Sequence, residues 1–201
     1  MPTDDPTRLR NLVIIGQGGA GKTSLADALI FAAGGTNRIG RVDDDTSLFD
    51  TEPEEHRRKS SVTSSLHHLQ WKKTDVTVID TPGYSSFLHD THNCLLAATG
   101  AVLVLGATGG ETKVEAEKLW GWCQQQGVPV VAFVTRMDKE RASIDHGIDD
   151  LRGLGAKPAV LQVPIGAEGG FRGVVDLLAN KAYVYEGDAG TVKELAVPAD
   201  L

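Results

Sequence analysis

Short apolar runs alternate with amphipathic segments along most of the chain. An apolar run bounded by turn residues is typical of a buried strand, and apolar positions every three or four residues indicate a helix. The predicted strands are Leu12–Ile15, Ala101–Leu105, Val128–Val134 and Ala159–Val163, and the predicted helices are Lys22–Ala33, Ser86–Ala98, Lys113–Gln126 and Glu140–Arg152. Strands separated by helices predict an α/β fold with a doubly wound, mainly parallel sheet.

Three further segments complete the predicted architecture. Val62–Trp71 and Asp75–Asp80 are predicted to pair as an antiparallel hairpin at one side of the sheet. Residues 36–61 are polar and have no period, which predicts a long loop. After Pro164, Phe171–Leu178 and Lys181–Glu186 are predicted to be short strands or turns outside the main sheet. We therefore expect a domain over residues 1–164 and the beginning of an inserted subdomain over 165–201.

A glycine-rich loop joins the first predicted strand to the first helix. Its sequence, GQGGAGKT, fits the phosphate-binding pattern G-x-x-x-x-G-K-[ST] at every fixed position. Glycines let backbone N–H groups surround phosphates, and the helix N-terminus adds a partial positive charge. Lys22 is predicted to reach the β- and γ-phosphates and Thr23 to bind Mg²⁺. The predicted phosphate-binding residues are Gly16, Gln17, Gly18, Gly19, Ala20, Gly21, Lys22, Thr23 and Ser24.

An acidic residue ends the second strand of the hairpin. Asp80 is followed by Thr81, Pro82, Gly83 and Tyr84. In P-loop proteins an Asp at such a strand end holds the Mg²⁺ shell. The backbone N–H of Gly83 is predicted to donate to the γ-phosphate, on a segment that moves when this phosphate leaves.

A third motif follows the strand at Val128–Val134. It consists of Thr135, Arg136, Met137 and Asp138. An Asp carboxylate can accept hydrogen bonds from two donors of guanine, whereas adenine has no matching pair of donors. The usual guanine motif is Asn-Lys-x-Asp, so Thr and Arg replace its first two residues. The same residues also match the helix-capping pattern [ST]-x-x-[DE], and an ATP-binding site remains an alternative.

Charge and hydropathy narrow the possible partners and location. The net charge of −7 argues against non-specific or sequence-specific nucleic-acid binding by this chain itself. Residues 1–10 lack the apolar core of a signal peptide, and the longest apolar stretch, Leu95–Ala107, is too short and glycine-rich to span a bilayer. We expect a cytoplasmic protein without membrane partners.

In the order and spacing of these motifs, the chain resembles translational GTPases, and most closely elongation factor G. The similarity covers nearly all of residues 10–200 and includes GQGGAGKTS, VIDTPGYSSF and FVTRMDKE. The stretch VLQVPIGAEGGFRGVVDLLANKAYVYEG looks like the start of the subdomain inserted in elongation factor G and in the GTPase release factor. The resemblance implies binding of GTP or GDP with Mg²⁺, hydrolysis of GTP, and ribosome contact only through a full-length protein.

Two departures from the family pattern concern catalysis. The family has His after Asp-Thr-Pro-Gly, and this His orders the attacking water; here Tyr84 stands in its place. The phenol cannot exchange protons readily at neutral pH, although it can orient water. Lys22, Gly83 and Tyr84 are the predicted catalytic residues. The competing hypothesis is a GTP/GDP-binding switch with negligible hydrolysis, and the Tyr also resembles a divergent branch of the family.

The switch loop departs from the family pattern Arg-Gly-Ile-Thr-Ile. Alignment places Ser61 where the Mg²⁺-binding Thr belongs, and a slip of one or two residues would place Ser60 or Thr63 there. The predicted metal ligands are therefore Thr23, Ser61 and Asp80. The last guanine motif, a Ser-Ala loop, is expected beyond residue 201. We accordingly expect the chain to be part of a longer protein and to be only marginally stable by itself.

Overall fold

Five strands form the main sheet in a computed structural model, which describes residues 5–109, 114–187 and 191–198. The strands are β1 (Leu9–Ile15), β2 (Ser65–Trp71), β3 (Thr74–Asp80), β4 (Gly100–Gly106) and β5 (Val130–Thr135), in the order β2-β3-β1-β4-β5. Strand β1 is parallel to β3 and β4, and β2 is antiparallel to β3. The predicted α/β fold, with a mainly parallel sheet and an antiparallel hairpin strand, is confirmed.

The helices of the described residues agree with most of the predicted ones. They are α1 (Lys22–Ala32), α2 (Pro53–Arg58), α3 (Leu88–Leu95), α4 (Val114–Gln126) and α5 (Ile144–Gly153). The predicted helix at Ser86–Ala98 is shorter, since a 3-10 turn over Ser85–Phe87 precedes it. Lys113, the predicted first residue of the next helix, lies outside the described residues. Across the described part of the chain, none of the helices has the length and apolar character needed to cross a bilayer.

The helix α2 corrects the prediction of a continuous loop over residues 36–61. Pro53 occupies the first turn, and the Glu55 side chain accepts a hydrogen bond from the Glu52 N–H at 3.1 Å. Lys59 ends the helix in the left-handed region at φ 51°. These signals act at helix ends and need no apolar periodicity, so hydrophobic periodicity does not reveal this helix.

The apolar side of the main sheet packs against α1. Ile14, Val78 and Val104 contribute one side chain each from β1, β3 and β4, and Ala26 and Ile30 face them from α1. Each of these side chains is at most 3 % exposed. The packing fixes the connection between β1 and α1 above the sheet edge.

The carboxyl ends of β1 and β3 lie side by side. Ile14 pairs with Asp80 in the parallel register. The glycine-rich loop leaves β1 at this edge, and the segment 81–84 leaves β3 there. In parallel α/β sheets this edge is where ligands bind.

A second, antiparallel sheet follows the main sheet along the chain. It contains β6 (Gln162–Ile165), β7 (Gly173–Asp176), β8 (Lys181–Glu186) and β9 (Thr191–Leu195), in sequence order. The predicted strand Ala159–Val163 is therefore shifted and belongs to this sheet. Ile165 is buried with Val175 and Ala182, whereas Val160 and Leu161 stay exposed. Strand β9 was not predicted, since Val192 and Leu195 are its only apolar residues and they do not alternate with polar ones. All five of its side chains are exposed.

The described residues form two compact units. The first contains residues 5–105 and 114–133, and the second contains residues 106–109, 134–187 and 191–198. The glycine-rich loop and Asp80 belong to the first unit, and residues 135–138 belong to the second.

Candidate functional site

Glycine makes the loop between β1 and α1 possible. Gly16, Gly19 and Gly21 have φ angles of 146°, 76° and 94°, which other residues adopt only with strain. A Cβ atom on Gly16 would also lie 2.5 Å from the carbonyl oxygen of Val104. Gly21 is the N-cap of α1, and no side chain caps this helix. The loop therefore presents backbone and a helix N-terminus, the combination that favours anions.

The side chain of Lys22 is buried inside this loop. It is 6 % exposed, and its Nζ donates a hydrogen bond to the Gln17 carbonyl at 2.9 Å. Burial lowers the pKa of Lys22 to about 8, and the nearby Asp80 charge partly opposes this shift. Burial thus removes the ammonium group from water, which disfavours its charged form. An anionic ligand at the loop would offset this cost.

Two hydroxyls and one carboxylate converge beside the loop. Thr23 Oγ1 donates to Asp80 Oδ2 at 2.7 Å, and Ser61 Oγ lies 3.2 Å from the same oxygen. The two hydroxyl oxygens are 3.1 Å apart. Of the three hydroxyls considered from the sequence, Ser61 is the one that contacts both Thr23 and Asp80.

Asp80 has the character of an incompletely satisfied metal ligand. It is 1 % exposed, and burial raises its pKa to about 6 against the opposing effects of Lys22, Thr23 and Ser61. Its Oδ1 has no hydrogen-bond partner among the described residues. Buried carboxylates without a partner are costly, and hard oxygen ligands suit Mg²⁺. The three residues therefore fit a Mg²⁺ ion that phosphates and water would also coordinate.

The described residues contain no group of three His, Cys, Asp or Glu side chains that could hold a metal ion. A metal site built wholly from such protein ligands is thus not seen in this part of the chain. Mg²⁺ sites at phosphates commonly use only one or two protein carboxylates. Thr23, Ser61 and Asp80, with one carboxylate and two hydroxyls, have the composition of this second type.

The segment after β3 packs directly on the glycine-rich loop. A Cβ atom on Gly83 would lie 2.5 Å from both the Gln17 carbonyl carbon and the Gly18 nitrogen. The Tyr84 ring is half exposed, and its atoms would lie 2.7–2.9 Å from a Cβ on Gly18. The absence of side chains at Gly18 and Gly83 therefore allows the two segments to touch.

Two buried threonines fix the same segment to its surroundings. Thr81 Oγ1 donates to the Ile14 carbonyl at 2.7 Å, and Thr91 Oγ1 donates to the Pro82 carbonyl at 2.9 Å. Both threonines are 0 % exposed. Strand β1 and helix α3 thus hold Pro82 and Gly83 against the loop.

Replacing Gly83 with alanine is expected to destabilise this contact. The added methyl group would meet the Lys22 ammonium group and also backbone atoms of Gln17 and Gly18, which cannot move aside as a flexible side chain could. We expect a loss of about 1–3 kcal/mol in the free energy of unfolding, measured by urea denaturation. Gly121→Ala is the matched control, because nothing lies within 4 Å of its Cβ position in α4. The control should gain up to about 1 kcal/mol; equal effects of the two changes would contradict the close contact at Gly83.

Residues 135–138 form a loop in the second unit. The Thr135 carbonyl accepts a hydrogen bond from the Ala107 N–H at 2.9 Å, and Arg136 has a positive φ of 61°. Met137 is buried, whereas the Asp138 side chain is 62 % exposed and pairs with Lys139 at 3.2 Å. The loop thus leaves the Asp138 carboxylate accessible. Helix α5 begins later, at Ile144 with Ser143 as its cap, so the helix-capping alternative for Thr135 and Asp138 is wrong.

Two residues missed by the sequence analysis support this loop. Glu168 donates its N–H to the Met137 carbonyl at 2.8 Å, and its Oε1 accepts from the Arg141 N–H at 2.8 Å. Phe171 packs against the cluster that contains Met137. The bond between Arg141 and Glu168 joins positions 27 residues apart, so no local pattern could reveal it.

Comparisons with known proteins agree with this geometry. Residues 7–187 match the family described as "Elongation factor Tu GTP binding domain". A crystal structure of a protein from Thermus thermophilus is similar, with 30 % sequence identity and a TM-score of 0.86. The similarity covers 95 % of this chain but only 28 % of that protein, so this chain spans just over a quarter of its length. The matched residues include the whole of the glycine-rich loop and the loop at 135–138. The chain belongs to the elongation factor Tu GTP-binding domain family.

Proposed function

We propose that this chain binds GTP and GDP with Mg²⁺ and hydrolyses GTP as a G domain of the elongation factor G type. One observation carries the proposal: Lys22, Thr23, Ser61 and Asp80 meet at the edge where β1 and β3 end. The chemistry of this set is specific to a metal-bound polyphosphate. A lysine ammonium contributes charge, two hydroxyls and a carboxylate contribute oxygen ligands, and glycines contribute open backbone.

Each residue has a defined part in the proposed reaction. Lys22 would neutralise charge on the β- and γ-phosphates, and the Gly83 N–H would donate to the γ-phosphate. Thr23, Ser61 and Asp80 would hold Mg²⁺, which when bound neutralises phosphate charge as the reaction proceeds. Water would be the nucleophile, with no covalent intermediate. The remaining loop residues, Gly16 to Gly21 and Ser24, would bind the phosphates through their backbone.

The base would be read by the loop at residues 135–138. The exposed Asp138 carboxylate would accept two guanine N–H donors, and Arg136 would lie along the base. Thr135 and Met137 would shape the loop, since Met137 is buried in the cluster with Ala107 and Ala142. Selection of GTP over ATP follows from the two donors that adenine lacks.

The elongation factor G branch is supported by the region after residue 159. Its sequence resembles the start of the inserted subdomain, and it forms a separate antiparallel sheet. We propose a division into a G domain over residues 1–164 and the beginning of that subdomain over 165–201. Ribosome contact would come through a longer protein in the cytoplasm, without sequence-specific nucleic-acid binding by this chain.

A GTP/GDP switch with negligible hydrolysis is the second candidate. It is favoured by Tyr84, whose ring lies against Gly18 and which stands where the family pattern has His. Under this alternative the residues that bind the nucleotide keep their proposed roles, and Tyr84 does not position the attacking water for hydrolysis. The two candidates therefore differ at one position.

Replacing Tyr84 with histidine is expected to raise the single-turnover rate of GTP hydrolysis by about tenfold or more. A neutral imidazole nitrogen at this position is a stronger hydrogen-bond acceptor for the attacking water than a phenol oxygen is. The rate is measured with enzyme in excess over GTP and with Mg²⁺. Tyr185→His, in β8, is the matched control and should leave the rate unchanged.

The parent chain separates the two candidate functions. Measurable Mg²⁺-dependent hydrolysis by the parent supports the enzyme. Hydrolysis by Tyr84→His alone supports the switch. An unchanged rate in Tyr84→His would contradict the assignment of residue 84 to the positioning of water.

A further inference from the structure

The carboxylate of Glu55 is fully buried in a segment that is otherwise polar and exposed. Glu55 is 0 % exposed, although it belongs to a helix of six residues whose Arg57 and Arg58 side chains are exposed. Burying a charged carboxylate costs several kcal/mol unless hydrogen bonds replace the lost water. The partners of those hydrogen bonds show which parts of the backbone the buried carboxylate holds in place.

Both oxygens of Glu55 accept hydrogen bonds from backbone N–H groups. Oε2 accepts from Thr51 at 3.0 Å and from Glu52 at 3.1 Å, before the helix. Oε1 accepts from Val62 at 2.9 Å and from Thr63 at 3.3 Å, after the helix. One side chain therefore ties together the two segments of chain on either side of α2.

Helix capping explains only half of this pattern. A capping box needs the bond from the third helical residue back to the N-cap N–H, which here is the bond to Glu52. The bonds to Val62 and Thr63 lie beyond the other end of the helix and contribute nothing to its N-terminus. They fix the backbone that immediately follows Ser61.

Ser61 is the residue whose position depends on this fixed backbone. Its Oγ lies 3.1 Å from Thr23 Oγ1 and 3.2 Å from Asp80 Oδ2. Val62, the next residue, donates its N–H to Glu55. A shift of this peptide by about 1 Å would carry the Ser61 hydroxyl out of hydrogen-bond range of both partners.

We propose that Glu55 is a positioning residue that holds Ser61 in the metal-binding arrangement and so sets the preference for GTP over GDP. This inference rests on the proposed function, in which Ser61 is a ligand of the Mg²⁺ ion held by the γ-phosphate. A switch-loop ligand is engaged only while the γ-phosphate is present. Glu55 therefore affects the affinity for GTP more than the affinity for GDP.

The test is a double-mutant cycle with Glu55→Gln, Ser61→Ala and the double variant. Glutamine presents one oxygen and one NH₂ group, so one of the two pairs of N–H donors must face another donor. The affinities for GDP and for a non-hydrolysable GTP analogue are measured by fluorescence titration with Mg²⁺. Glu54→Gln is the matched control, since Glu54 is partly exposed and forms its ion pairs with Arg57 and Arg58.

Glu55→Gln and Ser61→Ala are each expected to lower the ratio of GTP to GDP affinity by about tenfold. In the Ser61→Ala background, Glu55→Gln should change this ratio no further, because its effect acts through Ser61. A purely structural role would lower the free energy of unfolding but leave the ratio unchanged. An unchanged ratio in Glu55→Gln, or additive losses in the double variant, would overturn the proposal.

A measurement on the parent chain avoids any failure of the variants to fold. With a non-hydrolysable GTP analogue and Mg²⁺ bound, the amides of Val62 and Thr63 should be protected from hydrogen exchange together with those of Thr51 and Glu52, because one carboxylate binds all four. Rapid exchange at Val62 and Thr63 alone would overturn the proposal. If the parent binds no guanine nucleotide, the proposed function fails as well. If it binds with a preference for GTP that Glu55 does not influence, only this inference fails.

Discussion

Replacing Lys22 with methionine is expected to weaken the binding of GDP and GTP by about 10- to 100-fold. The buried ammonium group lies in the glycine-rich loop and donates to the Gln17 carbonyl, and a phosphate oxygen is a far better acceptor for it. Loss of a charged hydrogen bond in a site shielded from water costs on the order of 1.5–3 kcal/mol, and each factor of ten in affinity corresponds to about 1.4 kcal/mol. Titration with a fluorescent GDP analogue measures the effect.

The same variant should be more stable than the parent when no nucleotide is bound. The pKa of Lys22 is about 8 in the folded protein and near 10.5 in its ordinary state. Between these values the unfolded chain binds the extra proton, so the stability of the parent rises as the pH rises. A buried Lys whose pKa is lowered destabilises the folded state at neutral pH. Methionine removes this destabilisation, which amounts to at most about 3 kcal/mol at pH 7. The difference in the free energy of unfolding between variant and parent should therefore shrink as the pH rises from the folded pKa of about 8 to the ordinary value of 10.5.

Two results would contradict this explanation of Lys22. One is weakened binding together with lower stability at neutral pH in urea denaturation, which would indicate a damaged fold. The other is equal weakening by Lys118→Met, since Lys118 is exposed on α4 and serves as the matched control. Nucleotide binding should be unchanged in that control.

Replacing Asp138 with asparagine is expected to lower the affinity for GDP by about 100-fold and to raise the affinity for xanthosine diphosphate. The carboxylate offers two acceptors, whereas the amide offers one acceptor and one donor group. Guanine presents two N–H donors to this residue, so one of them would face the NH₂ group of Asn. Xanthine carries an oxygen in place of the exocyclic amino group, and the same NH₂ group can donate to it. A binding site whose buried polar groups need a specific hydrogen-bond partner has a much lower affinity for a base that lacks this partner.

The exposure of Asp138 makes this substitution a clean test. The side chain is 62 % exposed and its ion pair with Lys139 is a surface pair, so its loss should have little effect on folding. Asp149→Asn, in α5, is the matched control, because Asp149 also forms an exposed ion pair, with Arg152. Competition titrations with both nucleotides measure the affinities. Equal affinity of the Asp138 variant and the parent for GDP would show that this loop does not read the base.

The conformation of the glycine-rich loop could be predicted from the sequence because its constraints are local. Gly16 and Gly21 need positive φ angles within a few residues of each other, and the adjacent strand and helix have clear patterns. The contact of Thr23 with Asp80 joins positions 57 residues apart, yet it was predictable because Asp80 ends β3 and Thr23 follows the loop after the parallel strand β1. The roles of these residues in binding phosphate and Mg²⁺ stay predictions.

Other features of the site were not predictable because they depend on contacts between distant, polar segments. Ser61, rather than Ser60 or Thr63, lies beside Asp80, and the buried Glu55 accepts hydrogen bonds from the backbone N–H groups that follow it. A segment rich in acidic and basic residues gives no apolar period, so neither α2 nor the burial of Glu55 was foreseen. The support of Met137 by Glu168 is likewise a single long-range backbone bond.

The most direct test is equilibrium titration of the purified chain with fluorescent GDP and GTP analogues in the presence of Mg²⁺, with ATP as competitor. The geometry of Lys22, Thr23 and Asp80 predicts saturable binding, and Asp138 predicts that ATP competes at least about 100-fold less well than GTP. Binding in which ATP displaces the analogues as well as GTP does would contradict guanine recognition. Absence of binding by a chain that circular dichroism shows to be folded would contradict the nucleotide site itself.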